Sequence, residues 1–262
     1  GEIAVVSAMY NPVRTTEEFL AIGKDNASMA KKYVLMNDLD FGGARVHAFS
    51  SYKTRTSITF TGIFDGNGYT ISNIEPYANT LDPSDRDRAI FGYMDKGAIV
   101  RNVSFVGVKA ADRFSVVSNW CENGLIENVY IEVNYGNYEG FTGNANSGNP
   151  TGMVAAKLRA NGVVRNCVVK LTVEEGAYSA FAGGIVGQNQ GKVENSAFIY
   201  AARGEETVNP VYQNTSGGTS TAAAYADTDA FFAADLSSFD LNVWTFDAET
   251  KAISLKKNCF KG

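Results

Sequence analysis

The segment at residues 124–133, GLIENVYIEV, places a Gly, an aliphatic residue and an Asn directly before a strand-like run. Related segments begin at residue 98 (AIVRNVSFVGV), residue 162 (GVVRNCVVKLTV) and residue 191 (GKVENSAFIYA). A unit that recurs roughly every 20–50 residues is typical of a solenoid, because each repeat buries its apolar face against the next one. The sequence therefore predicts a stack of repeats.

An Asn marks the equivalent point of each repeat, at intervals of 29, 26, 38 and 29 residues: Asn73, Asn102, Asn128, Asn166 and Asn195. An aliphatic residue lies two positions before each Asn, and a compact residue lies one position after it. The third position after the Asn is apolar in four repeats and is Pro76 in the first. This period-two alternation, which changes phase at the Asn, predicts two short strands that meet at a bend, with the second position before the Asn and the third position after it inside.

Asn suits such a bend because it tolerates unusual backbone angles and its amide bonds to neighbouring backbone groups. In stacked coils, the five Asn amides would also bond to one another as a ladder. We expect this ladder because the five residues share one phase with their flanking aliphatic residues. The alternative is a set of local turn residues without a ladder.

A second element precedes each bend, and it has a small–apolar–apolar–small pattern that lets the chain pass close to its neighbours. It reads GIFDGNG from residue 62, AIFGYMDKG from 89, SVVSNWCENG from 115, GMVAAKLRANG from 152 and GIVGQNQG from 184. This pattern resembles the GLUG motif of repeat proteins at bacterial cell surfaces. Residues 184–187 match it best, with Ile in place of Leu, and the resemblance covers residues 33–200. It implies a right-handed parallel β-helix and an exported, adhesin-like protein, but it implies no activity.

We expect one all-β domain over residues 1–262, with an N-terminal cap at 1–40, about five coils at 41–200, and a loop and C-terminal cap at 201–262. The stretch TTEEFLAIGKD from Thr15 predicts a capping helix, since Thr15 and Glu18 match a capping box. Its expected apolar anchors are Phe19, Leu20 and Ile22. At the other end, DTDAFFAADLSSF predicts a helix and NVWTFDAETKAISLKK predicts two short strands, which together would cap the solenoid.

The amino-acid composition of the chain limits the classes of partner that it can bind. The net charge is −5 and charged residues make up 19% of the chain, so there is no electrostatic footprint for nucleic acid. No run of residues reaches the length of a membrane span. The three cysteines (Cys121, Cys167 and Cys259) have no metal-ligand spacing, and we expect neither a metal site nor a cofactor. The first twelve residues lack the features of a signal peptide, and we expect a trimmed or processed part of a larger extracellular or cell-surface protein, itself monomeric.

Catalytic and metal-binding interpretations compete with simpler ones. His47 is the single histidine, and no nucleophile motif lies near it, so we interpret it as structural or surface-exposed. Asp82, Asp85 and Asp87 match no calcium loop, and we interpret them as a solvated loop with local ion pairs. Arg101, Glu127, Arg165 and Glu194 all directly precede an Asn, and cross-strand pairing alone explains this alternation of charge.

A glycan site is predicted in the insertion at residues 134–151, which is rich in Asn, Gly and Tyr. Aromatic faces beside amide side chains are what sugar rings need, and the expected ligand-binding residues are Tyr135, Tyr138, Phe141, Asn144 and Asn146. The alternative is a loop that packs its own aromatic residues onto the solenoid. The sequence thus favours a non-catalytic, adhesin-like or glycan-binding surface module that meets glycans or a host surface. A carbohydrate-active β-helix enzyme (a polysaccharide lyase or glycoside hydrolase) and a structural spacer that presents other domains are the alternatives.

Overall fold

The computed structural model describes residues 9–52, 54–77, 88–110, 114–135, 151–173, 183–200 and 209–260. The regular structure within these ranges is mostly β. In chain order the strands are β1 (Asn11–Val13), β2 (Lys32–Leu35), β3 (Leu39–Asp40), β4 (Arg45–His47), β5 (Ile63–Asp65), β6 (Thr70–Ser72), β7 (Glu75–Tyr77), β8 (Gly92–Met94), β9 (Ala98–Ala110), β10 (Ser118–Tyr135), β11 (Ala155–Arg165), β12 (Val168–Val173), β13 (Val186–Asn189), β14 (Lys192–Glu194), β15 (Ala197–Tyr200), β16 (Val211–Asn214), β17 (Thr219–Ser220), β18 (Ala223–Tyr225), β19 (Trp244–Asp247) and β20 (Ala252–Leu255). The α-helices are α1 (Thr16–Leu20), α2 (Asn26–Met29) and α3 (Thr228–Phe232).

Sixteen of these strands join into one sheet, in which each observed pair runs parallel. Each pairing joins a segment to the segment one repeat later. Thus β9 pairs with β10, β10 pairs with β11 and β12, and these pair in turn with β13, β14 and β15. The prediction of a mostly β protein with stacked parallel strands is confirmed at this level.

The strand register aligns equivalent residues of successive repeats. Ile126, two positions before its Asn, pairs with Val100 on one side and with Val164 on the other. The two positions predicted to lie inside, the second before each Asn and the third after it, are at most 1% exposed in the repeats of Asn102, Asn128, Asn166 and Asn195. The compact residue directly after each of these Asn residues is also buried, at most 4% exposed. The apolar core therefore runs along the inner side of the sheet, as the alternation of the sequence requires.

Two glycines of the GLUG-like elements explain why these elements need small residues. A Cβ on Gly184 would lie 2.4 Å from the ring of Phe198, and a Cβ on Gly152 would lie 2.3 Å from the backbone nitrogen of Gly187. No side chain fits at those distances. The small positions therefore let the chain cross closely over the core and over the next repeat.

The N-terminal helices close the beginning of the sheet with aromatic packing. Thr15 accepts a hydrogen bond from the Glu18 backbone at 3.2 Å, as expected of an N-cap, whereas the Glu18 carboxylate accepts from the Arg14 backbone instead. Phe19 is fully buried, with its ring centroid 5.4 Å from that of Phe64. Ile22 is also buried, but Leu20 is 44% exposed, so the expected anchoring role of Leu20 is wrong. Leu20 directly follows the buried Phe19, so its side chain lies about 100° further around the helix and faces solvent.

The C-terminal segment, residues 228–260, contains the predicted helix (α3) and the two predicted strands, which form the antiparallel hairpin β19–β20. Its buried residues form a second core with the outer side of β10, β12 and β15. The segment then reaches the first repeat, where Asn258 donates to the Asn67 carbonyl at 2.9 Å and Lys257 bonds to Asp38. The segment therefore covers a side of the sheet along several repeats, a placement that differs from the expected cap over the end.

Asn73 occupies a different bend from the other four Asn residues, which corrects the alignment made from the sequence. Ile71, two positions before Asn73, pairs with Phe105 rather than with Val100. Asn73 consequently lies beside Gly107, and both have a positive φ, of 54° and 66°. Because a repeat can contain a second left-handed bend, as at Gly107 five residues after Asn102, an Asn alone does not identify which bend it occupies.

Candidate functional site

Outward-facing side chains of β10 and β11 form the centre of a candidate binding site. Cys121 and Leu158 are fully buried and pair with each other, so their neighbours along each strand point outward. Trp120 pairs directly with Lys157. A β-bulge follows, because Cys121 pairs with Leu158 while Asn123 pairs with Asn161, and it brings Arg159 beside Glu122. We call the group the Trp120 cluster, and its members are Tyr52, Arg55, Tyr93, Trp120, Glu122, Lys157 and Arg159.

Two aromatic rings form the floor of the Trp120 cluster. Tyr52, from the loop after β4, stacks on Trp120 with ring centroids 4.0 Å apart and an angle of 24° between the rings. Tyr93 packs edge-on against Tyr52 at 6.2 Å. Stacked rings of this kind give a rigid apolar surface at a partly exposed position. Trp120 and Tyr52 are both half-buried, so the edges of this surface reach solvent.

Three cations surround the two stacked rings. The Arg55 guanidinium carbon lies 3.6 Å from the Tyr52 ring centroid. The Lys157 ammonium nitrogen lies 4.6 Å from the Trp120 ring, and the Arg159 guanidinium carbon lies 5.3 Å from it. Cation–π contacts at such sites contribute about 0.5–1 kcal/mol each. The contacts hold the positive charges at fixed places over the rings.

Glu122 fixes the orientation of the indole. Its Oε2 accepts a hydrogen bond from Trp120 Nε1 at 2.8 Å and lies 3.7 Å from Arg159 Nε. Burial, together with the negative charges of Glu122 and Asp95, raises the pKa of Tyr93 to about 12. The Tyr93 phenol is therefore neutral at physiological pH, and it is suited to donate a hydrogen bond rather than to act as a base.

The four Asn residues that share one bend form two hydrogen-bonded pairs. Asn128 Nδ2 donates to Asn102 Oδ1 at 3.0 Å, and Asn195 Nδ2 donates to Asn166 Oδ1 at 2.7 Å. Their φ angles are 54°, 52°, 51° and 41° in chain order, all left-handed. Asn128 Oδ1 is buried and has no hydrogen-bond partner in the part of the chain that the structure describes. The predicted continuous ladder is thus interrupted between Asn128 and Asn166.

A buried carboxylate extends the first Asn pair into the preceding repeat. Asn102 Nδ2 lies 3.2 Å from Asp65 Oδ1, and Arg101 Nε donates to Asp65 Oδ2 at 2.7 Å. Burial raises the pKa of the Asp65 carboxyl, while Arg101 and the hydrogen bonds to it act in the opposite direction. Asn73 forms a separate bond, from its Nδ2 to Asp40 Oδ1 at 2.9 Å. These contacts hold the bends of successive repeats together and leave no opening for a ligand to reach Asp65, which is fully buried.

The charged residues that precede the Asn residues lie opposite one another across the strands, while Arg101 forms its ion pair with Asp65 of the preceding repeat. Glu127 lies between Arg101 and Arg165 in register, and Arg165 pairs with Glu194. The Arg165 guanidinium lies 2.7 Å from Glu127 Oε2. Cross-strand pairing thus accounts for Glu127 and Arg165, whereas Asp65 is the partner of Arg101.

The residues that the sequence predicts to bind glycans lie in a different region. Tyr135 ends β10, where its backbone pairs with Ala110 and Val173. Its side chain lies outside the described part of the structure, as do Tyr138, Phe141, Asn144 and Asn146. The acidic loop residues Asp82, Asp85 and Asp87 also lie outside it. The glycan site at 134–151 stays a prediction.

His47 packs within a group of aromatic and cationic side chains. Its ring contacts Tyr77 edge-on at 5.6 Å, and the Arg45 and Arg88 guanidinium carbons lie 5.0 Å and 4.8 Å from the same Tyr77 ring. Arg45 also pairs with Glu75 at 2.9 Å. Among the described residues, no group of three or more His, Cys, Asp or Glu side chains is arranged to hold a metal ion. In the same ranges no helix has the length and apolar content that crossing a membrane requires.

The Trp120 cluster was missed by reasoning from the sequence, although part of the signal was present. The segments SNWCEN and AAKLRA belong to equivalent elements, and their outward positions set Trp120 against Lys157. Tyr52 and Arg55 come from a loop that matches no repeat, so only packing brings them to the cluster. Comparison of the chain with protein-family models, with curated proteins and with solved structures finds no match.

Proposed function

We propose that the large parallel sheet winds as a right-handed parallel β-helix and that the chain is a module of an exported surface protein. Two observations support the β-helix: each segment pairs with the segment one repeat later, and the apolar side chains of all repeats share one buried core. The GLUG-like elements support the surface location through their resemblance to repeat proteins of bacterial cell surfaces. A stack of this kind provides a long, rigid outer face on which a binding site can be built.

The function proposed for this module is non-catalytic glycan binding. The observation that carries it is the Trp120 cluster, in which stacked rings, fixed cations and a carboxylate converge on one outer face. Aromatic surfaces with a few placed polar groups are typical of carbohydrate sites, since a sugar ring offers both apolar C–H faces and hydroxyl groups. Affinity at one such site is weak, on the order of 0.1–1 mM, so attachment would depend on many copies at a surface.

Retention on a panel of immobilised glycans tests this function. We expect Trp120→Ala to weaken retention at least tenfold, about 1.4 kcal/mol, because the aromatic floor is lost. The matched control is Tyr77→Ala, which removes another ring flanked by two guanidiniums and should leave retention unchanged. Binding that survives Trp120→Ala, or that is absent for the wild-type chain, would contradict the proposal.

The insertion at 134–151 is the alternative location for the same function. The double variant Tyr135→Ala/Tyr138→Ala separates the two locations, since it leaves every residue of the Trp120 cluster in place. Loss of retention in this variant at an unchanged melting temperature would assign the site to the insertion. Retention that follows Trp120 and ignores the two tyrosines assigns it to the cluster.

A carbohydrate-active enzyme is the second candidate function, because Lys157, Arg159 and Glu122 lie together on one face. A lyase needs a cation to stabilise the developing enolate and a base to remove a proton. The raised pKa of Tyr93 makes its phenol a poor base at neutral pH. Release of reducing sugar or unsaturated uronate from polysaccharides would establish this function, and the spacer alternative predicts neither release nor retention.

A further inference from the structure

A straight row of outward side chains passes through the Trp120 cluster. The strand register sets one residue from each of five successive strands side by side: Tyr93, Trp120, Lys157, Gln188 and Gln213. We call these five residues the outer row. Because paired strands lie about 4.8 Å apart, the four spacings give the row a length of about 19 Å. Tyr93 is only 7% exposed beneath Tyr52, so a ligand meets the other four residues, over three spacings or about 14 Å. That distance suits a polymer rather than a single small molecule.

We propose that the outer row binds an acidic, linear polysaccharide that lies along the stack of strands, an inference that rests on the proposed glycan-binding function. The class of ligand is a chain of sugars that carry carboxylate or sulfate groups. The charge of the site, the occupation of the ring faces and the composition of the row each support this class.

The charge of the site favours an anion. The whole chain carries a net charge of −5, yet Arg55, Lys157 and Arg159 gather around two adjacent rings. Two carboxylates lie near these cations: Glu122, which is held by the Trp120 indole and by Arg159, and Asp95, whose charge acts on Tyr93. Three cations against these two carboxylates leave a local excess of positive charge on an acidic protein, which attracts anionic groups.

The ring faces explain why a neutral sugar is a poorer ligand. Arg55 lies over the Tyr52 ring at 3.6 Å, and Lys157 lies over the Trp120 ring at 4.6 Å. A neutral sugar that stacks on either ring has to displace a cation from its favourable contact. A sugar with a carboxylate or sulfate instead meets the cation directly and keeps the cation–π contact.

The far half of the outer row suits the rest of a polymer. Gln188 and Gln213 pair with each other in register and are both half-buried, while the neighbouring Asn189 points inward and is fully buried. Each Gln side chain offers both a donor and an acceptor, which matches the hydroxyl groups that repeat along a polysaccharide. Acidic recognition at Trp120 and Lys157 and hydroxyl recognition at the two Gln residues would therefore share one ligand.

The first test compares polygalacturonate with its methyl ester, which has the same backbone without the charge, and dextran sulfate with dextran. We expect both acidic polymers to bind and to lose affinity as salt increases, because the ion pairs are solvent-exposed. Lys157→Gln/Arg159→Gln should weaken binding of the acidic polymers about tenfold. The control Lys192→Gln/Lys256→Gln makes the same change of charge at exposed sites away from the row and should leave binding unchanged.

The outcomes separate this inference from the function on which it rests. Equal binding of polygalacturonate and its methyl ester, without dependence on salt, would overturn the acidic class and leave glycan binding intact. Retention of none of the polymers or array glycans would overturn both. Binding of the sulfated polymer alone, or of the carboxylated polymer alone, supports the inference and identifies the source of the negative charge.

A second test addresses the direction of the polymer. Gln188→Ala/Gln213→Ala should weaken binding of a galacturonate octasaccharide several-fold and leave binding of the disaccharide unchanged, because only the longer ligand reaches the far half of the row. An equal effect on both lengths, or no effect on the octasaccharide, would contradict a ligand that lies along the row.

Discussion

The repeats and the C-terminal segment bury apolar side chains in opposite ways. Within the repeats, Ile131 meets Phe105 and Val169, which occupy the same position one repeat earlier and one repeat later. In the C-terminal segment, Trp244 instead belongs to a core with outward residues of the sheet. The sequence pattern of the repeats therefore predicts which of their residues meet. The C-terminal segment instead depends on a surface that another part of the chain provides.

Apolar residues at an outward position reveal where that surface lies. The second position after the Asn faces outward, and it is Tyr130, Val168 and Ala197 in three successive repeats, all buried by the C-terminal segment. In the preceding repeat the same position is Ser104, which is polar although it too is only 4% exposed. An outward position that becomes apolar in consecutive repeats thus indicates a covering element in a sheet of this type.

Removal of the central side chain of the covering segment should have the largest effect. Trp244 is 1% exposed and stacks on Phe246 with ring centroids 5.5 Å apart. We expect Trp244→Ala to cost about 3–5 kcal/mol of stability, because truncation of a buried aromatic residue leaves a large cavity. Hydrogen exchange should show loss of protection in β19 and β20 while β10 keeps its protection. Equal loss in β10 would mean that the two regions unfold as one unit, and Leu241→Ala, at a 55% exposed position, is the control.

The matching change within the repeats is Ile131→Ala. Ile131 is fully buried between its equivalents in two neighbouring repeats, and we expect a cost of about 2–5 kcal/mol. In contrast to the Trp244 variant, protection should fall in β9, β10 and β12 together, since the stack shares one core. A neutral result in urea unfolding would show that the inward assignment of this position is wrong.

The bend at Asn128 should give a smaller effect. Asn128→Ala loses the bond to Asn102 and places a Cβ-bearing residue without a capping amide at φ 52°, so we expect a cost of about 1–3 kcal/mol. Asn128→Gly removes the bond but tolerates the φ angle, and it should cost less. If Ala and Gly cost the same, the hydrogen bond alone accounts for the preference, and if neither has a cost, the Asn pair contributes nothing. Asn144→Ala, in the insertion, is the control.

The reactivity of the three cysteines toward a thiol reagent distinguishes the two regions without a change in stability. Burial raises the pKa of Cys121 and of Cys167 to about 12, and both belong to the repeats. Because the thiolate is the reactive form, neither should react with a thiol reagent at pH 8 in the folded state. Cys259, in the C-terminal segment, is partly exposed and should be labelled. One label before unfolding and three after it is the expected count, and Cys259→Ser should reduce the first number to zero.

The sequence determined the features that local pattern and repetition control. Period-two alternation identified the inward positions, the recurring Asn identified a left-handed bend in four repeats, and Thr15 identified the start of α1. These features follow from backbone geometry and from the need of each repeat to bury the same face. The locations of α3 and of the β19–β20 hairpin were also readable, because each has its own helical or strand pattern.

The tertiary structure decided everything that joins segments of unlike sequence. The phase of Asn73, the exposure of Leu20 and the position of the C-terminal segment all depend on which residues meet across long stretches of chain. The Trp120 cluster has the same origin, because Tyr52 reaches Trp120 from a loop outside the repeats. A repeat predicts its neighbours since they share its pattern, whereas contacts between a loop and a strand are fixed only by the packing of the whole fold.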